Sequence, residues 1–136
     1  MKEKRKSQLI DILKNNKKWP LIIESANKLK FPSAITIPAN TPSENLGLIA
    51  SENGIKYPTW AMQIMTKAKK SNNIIICIDS LDEIPQEDQE KFFGMIKYKG
   101  VNGFKFPEGS QIVITAKDAN NISKRISGLA LIFKAE

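Results

Sequence analysis

A chain of 136 residues, 41% hydrophobic and 26% charged, fits a single packed domain and excludes a wholly disordered polyelectrolyte. It carries a formal charge of +7, no histidine and one cysteine, Cys77, which excludes a histidine-dependent nucleophilic triad within the chain and an internal disulfide, and argues against a zinc site. The longest apolar run, Ile74 to Ile78, falls far short of the roughly 18 residues of a membrane span, and the basic amino terminus lacks the apolar stretch of a secretory signal, so a cytoplasmic protein is expected.

Residues 4–15 have the spacing of an amphipathic helix, with Leu9 and Leu13 four apart, Ile10 and Ile12 beside them, and Asn15-Asn16 discouraging continuation. Over residues 2–18, Lys2, Lys4, Arg5, Lys6, Lys14, Lys17 and Lys18 outweigh Glu3 and Asp11, so most of the excess charge lies at one end. Trp19 is expected to anchor this helix to a sheet. Pro20 introduces a strand, LIIE, and AITIP from Ala34 to Pro38 reads as a second. Their connection is shorter than the dozen or more residues of a helical crossover, which leaves antiparallel strands or a compact irregular crossover.

Residues 42–49 are expected as a short helix capped by Ser43, with Leu46 and Ile49 inward. Thr59 is the expected cap of a helix to about Lys70, with Ala61, Ile64, Met65 and Ala68 on its inner stripe and Lys67, Lys69 and Lys70 suiting the dipole at its end. Tyr57 and Trp60 flank Pro58, a core or hinge contact on the plain reading and a partner-facing patch on the other. Asn73 to Asp79 is apolar throughout and reads as the central strand, buried on both faces. Pro85, Glu87 and Asp88 start a helix near 85–97, with Phe92 and Ile96 as a core pair and Phe93 widening the face. Gly100 and Gly103 mark a hairpin in YKGVNGFKF. Gln111 to Ala116 is another strand, 119–127 a short helix, and Leu129 to Phe133 a closing strand.

The expected fold class is therefore α/β: a small, helix-flanked, mainly parallel sheet with an appended β-hairpin. Residues 1–18 form a basic helix and residues 19–136 a single α/β domain. Asp79, Asp82, Glu83, Glu87, Asp88 and Glu90 make 79–90 acidic against the basic amino terminus, so the molecule is expected to be dipolar.

An apolar strand ending in an acid, such as Asp79, has the form that positions a magnesium-bound water in nucleotide hydrolases, although such a run is common. Taken together and in order, IPANTPSENLGLI, IKYPTW, IIICIDSLDEIPQEDQEKFFGMIK, GVNGFKFPEGSQIVITAKD and KRISGLALIF resemble the core of the MoxR-like branch of the AAA+ ATPases. The resemblance implies a truncated AAA+ core in which Asp79 matches the Walker B aspartate and Ser80 replaces its catalytic glutamate. It implies that Lys117 stands at the sensor asparagine position and that Arg125 matches an arginine finger acting in trans. No GxxxxGK[ST] occurs, and ESANKLKFPS occupies the place of the phosphate loop. Asp82 and Glu83 follow Asp79 closely enough to be weighed as a metal or acid–base pair, but acids at a helix start are favoured without catalytic duty.

These readings predict a catalytically inactive, AAA+-derived interaction or assembly domain that hydrolyses no ATP by itself, with no cofactor, no metal and no catalytic residue. A protein partner or self-association is expected, with Lys99, Val101, Asn102, Phe104 and Lys105 of the hairpin as interface candidates. One alternative is an accessory subunit that lends Arg125 to a partner ATPase. The other is a nonspecific nucleic-acid-binding protein using Lys2, Lys4, Arg5 and Lys6.

Overall fold

Five short apolar runs pair into one sheet, and the order in which they pair governs everything else. The computed structural model describes residues 2–31, 33–101 and 103–136. The sheet contains β1 (Leu21–Glu24), β2 (Ile35–Pro38), β5 (Ile75–Asp79), β8 (Gln111–Ala116) and β9 (Leu131–Lys134), in the order β2-β5-β8-β1-β9 and parallel throughout. The middle strand is β8, whose residues are all buried, and β5 stands one place off centre, correcting the expectation that 73–79 holds the middle.

Strands β1 and β2 are neither neighbours nor antiparallel: β8 and β5 lie between them. Three strand spacings and the return to the other sheet edge make a diagonal of roughly 20 Å. About ten residues coiled as a helix would reach only about 15 Å, whereas extended they reach over 30 Å. Among the described residues of 25–34 there is accordingly no helix, and Leu29, Phe31 and Ala34 pack onto the sheet.

The face that this crossover only partly covers is closed by α1 (Glu3–Asn15). Leu9 is buried, and Ile12 and Leu13 pack against Leu21, Ile23, Cys77, Val113 and Phe133. The alternate residues Ile22, Ile76, Ile78, Ile112 and Ile114 point to the opposite face, as the two-residue strand period requires. That face is covered by α2 (Thr59–Ala68), α4 (Phe93–Tyr98) and α5 (Lys124–Ser127) through Ala61, Ile64, Met95, Ile96 and Ile126.

Several local expectations need correction. Thr59 is the first residue of α2 rather than its cap, because the capping position falls on Pro58. Residues 42–49 make only a 3-10 turn, Ser43–Asn45, and Ile49 is exposed at the start of an unforeseen hairpin, β3 (Ile49–Ser51) with β4 (Gly54–Lys56), whose Asn53-Gly54 step was the available turn signal. The helix foreseen at 85–97 is broken into α3 (Gln86–Gln89), a 3-10 turn and α4. Its buried positions are Gln89, Phe92, Met95 and Ile96, so Phe92 and Ile96 form the expected core pair across the break. Residues 119–127 likewise divide into a 3-10 turn and α5. Trp19 is 50% exposed, so Leu9, Ile12 and Leu13 hold α1 in its place.

The foreseen hairpin at 100–105 is present as β6 (Gly100–Val101) with β7 (Phe104–Lys105). A Cβ on Gly100 would lie 2.7 Å from Phe104 O, so only glycine admits this close approach. Phe104 meets Tyr57, Trp60 and Phe106 edge to face, and Trp60 is buried with its indole N–H donating to Asn45 O at 3.0 Å. No helix among the described residues is long and apolar enough to cross a membrane.

Gln89 is fully buried and ties this layer together. Its amide donates to Ile84 O (3.2 Å) and Asn121 O (2.8 Å), and its Oε1 accepts the Ser123 N–H at 2.7 Å. Replacing it by leucine strands all three backbone groups, so Gln89→Leu should lower the unfolding free energy by about 3 kcal/mol, measured by urea denaturation.

Candidate functional site

From β1 the chain moves toward β2 on the α1 face, whereas the steps from β2 to β5, β8 and β9 move the other way on the α2 face. At the carboxyl ends of the adjacent strands β1 and β8 it thus departs to opposite faces, opening the crevice where open parallel sheets take ligands. Ser25, Asn27, Lys28, Ser80, Glu83, Thr115 and Lys117 line a cavity there of about 80 Å³.

Asp79 ends β5 beside that crevice. Its Oδ1 accepts the Thr115 hydroxyl at 2.9 Å, and the same hydroxyl oxygen accepts the Ser80 N–H at 2.9 Å. Ser80 can therefore hold a left-handed conformation (φ 61) that otherwise costs a non-glycine residue about 1–2 kcal/mol. The Asp79 Oδ2 lies 3.5 Å from the Lys28 ammonium, which the extended crossover delivers. Lys28 and Asp79 also border two open depressions of about 360 and 540 Å³ on either side.

The neighbouring acids are engaged by backbone. Asp82 Oδ2 accepts the N–H groups of Lys117 and Asp118, both at 3.0 Å, thereby clasping the chain as it leaves β8. Glu24 accepts the Ala119 N–H at 2.8 Å, and Glu136 accepts from the Ser25 hydroxyl at 3.0 Å and the Ala26 N–H at 3.4 Å. Glu83 is exposed at the cavity rim. Among the described residues no group of three or more Cys, Asp or Glu side chains is placed to hold a metal ion.

The resemblance implies a nucleotide with magnesium at this crevice, and the residues present do not fit it. The carboxylate that would face the metal already faces an ammonium. No helix begins among the described residues of 25–34 to offer phosphates its N-terminus.

Asp79, Ser80 and Lys117 are brought together here; the other candidates lie elsewhere. Arg125 stacks 4.0 Å over the Phe93 ring and donates to Glu90 Oε2 at 2.7 Å, while its side chain stays 63% exposed. The Lys99 ammonium turns inward to Lys17 O (2.6 Å) and Ser110 O (3.2 Å), and burial followed by the charge of Lys17 lowers its pKa. Val101 and Phe104 pack on the core, Lys105 is exposed, and Asn102 lies outside the described residues. Lys2, Lys4 and Lys6 are exposed, and Arg5 lies 5.2 Å over the Phe133 ring.

Sequence reasoning missed Thr115 and Lys28. The first stands two positions before Lys117 in ITAKD, and the second lies within ESANKLKFPS, whose departure from a phosphate loop was the available signal. No protein-family model matches the chain, and no curated protein matches it either.

Two outcomes follow from this geometry. Thr115→Val removes the hydroxyl shared by Asp79 and Ser80 and should cost about 1–3 kcal/mol in urea denaturation. Burial first, and Asp79 second, push the Cys77 thiol up to about 12. The unfolded thiol loses its proton from about pH 8.5 while the native one keeps it, so this stability is full below that pH and is lost as pH rises toward 12. Between pH 8.5 and 10.5 the urea midpoint should therefore fall more steeply for the parent protein than for Cys77→Ala.

Proposed function

We propose that this chain is a catalytically inactive interaction or assembly domain derived from an AAA+ core, acting in the cytoplasm without hydrolysing ATP on its own. One observation carries the reading: the Lys28 ammonium occupies the cation position beside Asp79, on a crossover that runs extended where a phosphate loop and its helix would stand. The adjacency of the Asp79 strand to the strand bearing Thr115 and Lys117 supports descent from a nucleotide-binding core, since those are the two strands the resemblance assigns to Walker B and sensor.

A partner surface is supported by the β3–β4 hairpin. All of its residues are exposed, Ile55 to 58%, and a free two-stranded hairpin is marginal in water. An Arg125 lent to another subunit would first have to leave Phe93 and Glu90, so association does not depend on it in this reading.

The test has two arms. Titration calorimetry with magnesium and ATP should give no binding heat, and phosphate release should stay at the buffer rate. Native mass measurement should show self-association or a stable complex captured from cells, lost in Ile55→Asp while the unfolding midpoint is unchanged. Tight ATP binding followed by release of ADP would overturn the proposal, as would a chain that stays monomeric and partnerless.

A further inference from the structure

The amino ends of the strands form the end of the molecule remote from Asp79, and the segments that meet there are basic. Lys14, Lys17 and Lys18 come from the end of α1 and the turn into β1, Lys69 and Lys70 from the end of α2, and Lys97 from the end of α4. Among the described residues of segments 14–20, 67–74, 97–99 and 106–110, the only acidic side chain is Glu108. The carboxyl end, by contrast, mixes both signs, Glu24, Asp79, Asp82, Glu83, Asp118 and Glu136 standing with Lys28, Lys117 and Lys134.

Direct contacts make these segments one surface. Lys17 Nζ reaches Asn73 Oδ1 at 3.5 Å, Lys99 Nζ bonds to Lys17 O, and the Gln111 amide donates to Asn16 O. Between them lies an open groove of about 410 Å³ walled by Ile10, Lys14, Lys17, Asn73 and Gln111.

Two aromatic rings are exposed against the rule followed elsewhere, Trp19 on the turn into β1 and Tyr98 at the end of α4, beside a second depression of about 650 Å³ that it shares with Lys91 and Lys105. Trp60, Phe92 and Phe106 are buried, whereas Trp19 is 50% and Tyr98 69% exposed. Each carries an ammonium over its ring: Lys18 Nζ at 5.1 Å from Trp19 and Lys97 Nζ at 5.4 Å from Tyr98. Tyr98 is joined to the Trp19 segment through the Lys99–Lys17 bond.

We infer that the amino-terminal end of the sheet binds single-stranded nucleic acid, with lysines on the phosphates and Trp19 and Tyr98 stacking on unpaired bases. Charge alone would suit any polyanion; the rings select the occupant. An unpaired base offers a flat face to each ring, while a duplex keeps its bases stacked inside and an acidic peptide has few such faces. The surface is distinct from Lys2, Lys4, Arg5 and Lys6, which lie at the opposite end of α1, where Arg5 covers Phe133. It does not depend on the fate of ATP at Asp79.

The probe is a labelled oligothymidine, with the duplex of the same length, heparin and anionic phospholipid vesicles as comparisons, titrated with the full chain across a salt series. Single strands should bind at least about tenfold tighter than duplex, and the affinity should fall steeply with salt. Binding should quench the emission of exposed Trp19. Trp19→Ala and Tyr98→Ala should each weaken binding about tenfold with the salt slope kept, and Trp19→Phe should largely restore it. Combined Lys14→Gln, Lys18→Gln and Lys69→Gln should reduce the slope by about two, whereas combined Lys2→Gln, Lys4→Gln and Lys6→Gln should change affinity by no more than about twofold. The inference is overturned by absence of binding at low salt, by equal affinity for duplex, heparin or vesicles with Trp19→Ala indifferent, or by a loss confined to the Lys2, Lys4 and Lys6 variant.

Discussion

The reach of residues 25–34 constrains the rest of the molecule. They must carry the chain diagonally past two strands, from the carboxyl end of β1 to the start of β2, and only extended backbone is long enough. A connection so thin cannot cover a sheet face with a helix, which leaves Leu21, Ile23, Cys77 and Val113 to be covered from elsewhere in the chain. The amino-terminal segment supplies that cover, so α1 completes the core from outside the order of strands and crossovers.

The same constraint sets the chemistry at the carboxyl edge. An extended segment leaving β1 passes close to the end of β5 and lays Lys28 against Asp79, while Thr115 from the strand between them takes the other carboxylate oxygen. The carboxylate is thus satisfied wholly from within the chain. One oxygen each of Asp82, Glu24 and Glu136 accepts from backbone N–H groups of the rim, Glu136 Oε1 accepts the Ser25 hydroxyl, and Asp82 Oδ1 is buried with no partner among the described residues. What remains is a junction of acids tied to backbone, with Lys28 paired to Asp79 and Glu83 exposed at its rim.

The five strands were legible because each is a compact apolar run bounded by proline, glycine or polar residues; β1 and β8 appear with the bounds expected. Their order was not, since pairing across the sheet leaves no trace in local pattern, and the short first connection left an antiparallel pair and a compact irregular crossover both open. Periodicity also failed where turns tighten: Gln89 looks like a surface residue until its amide is seen serving three backbone groups. At the site, Asp79 was visible as the acid closing an apolar strand. Thr115 was hidden inside another apolar run, and Lys28 in a segment notable only for what it lacked. The basic end was visible only as part of the lysine-rich segment 2–18 and as the run at 67–70, and only the fold joins Lys14, Lys17 and Lys18 to the second run and to Tyr98.

Closing one face with a helix that lies outside the strand-to-strand connections divides the molecule unequally. The helices of the other face are each wired into the chain between two strands, so none can lift without straining its neighbours. The first helix precedes β1, so it connects no two of the five strands, and it buries one residue, Leu9, with Ile12 and Leu13 partly covered. Its detachment is therefore the least costly large opening available, a partial unfolding that bares Val113 and Cys77 while the five strands stay paired. Whatever grips the exposed side of that helix would stabilise the protein by suppressing this one excursion, coupling occupancy at the surface to the integrity of the interior.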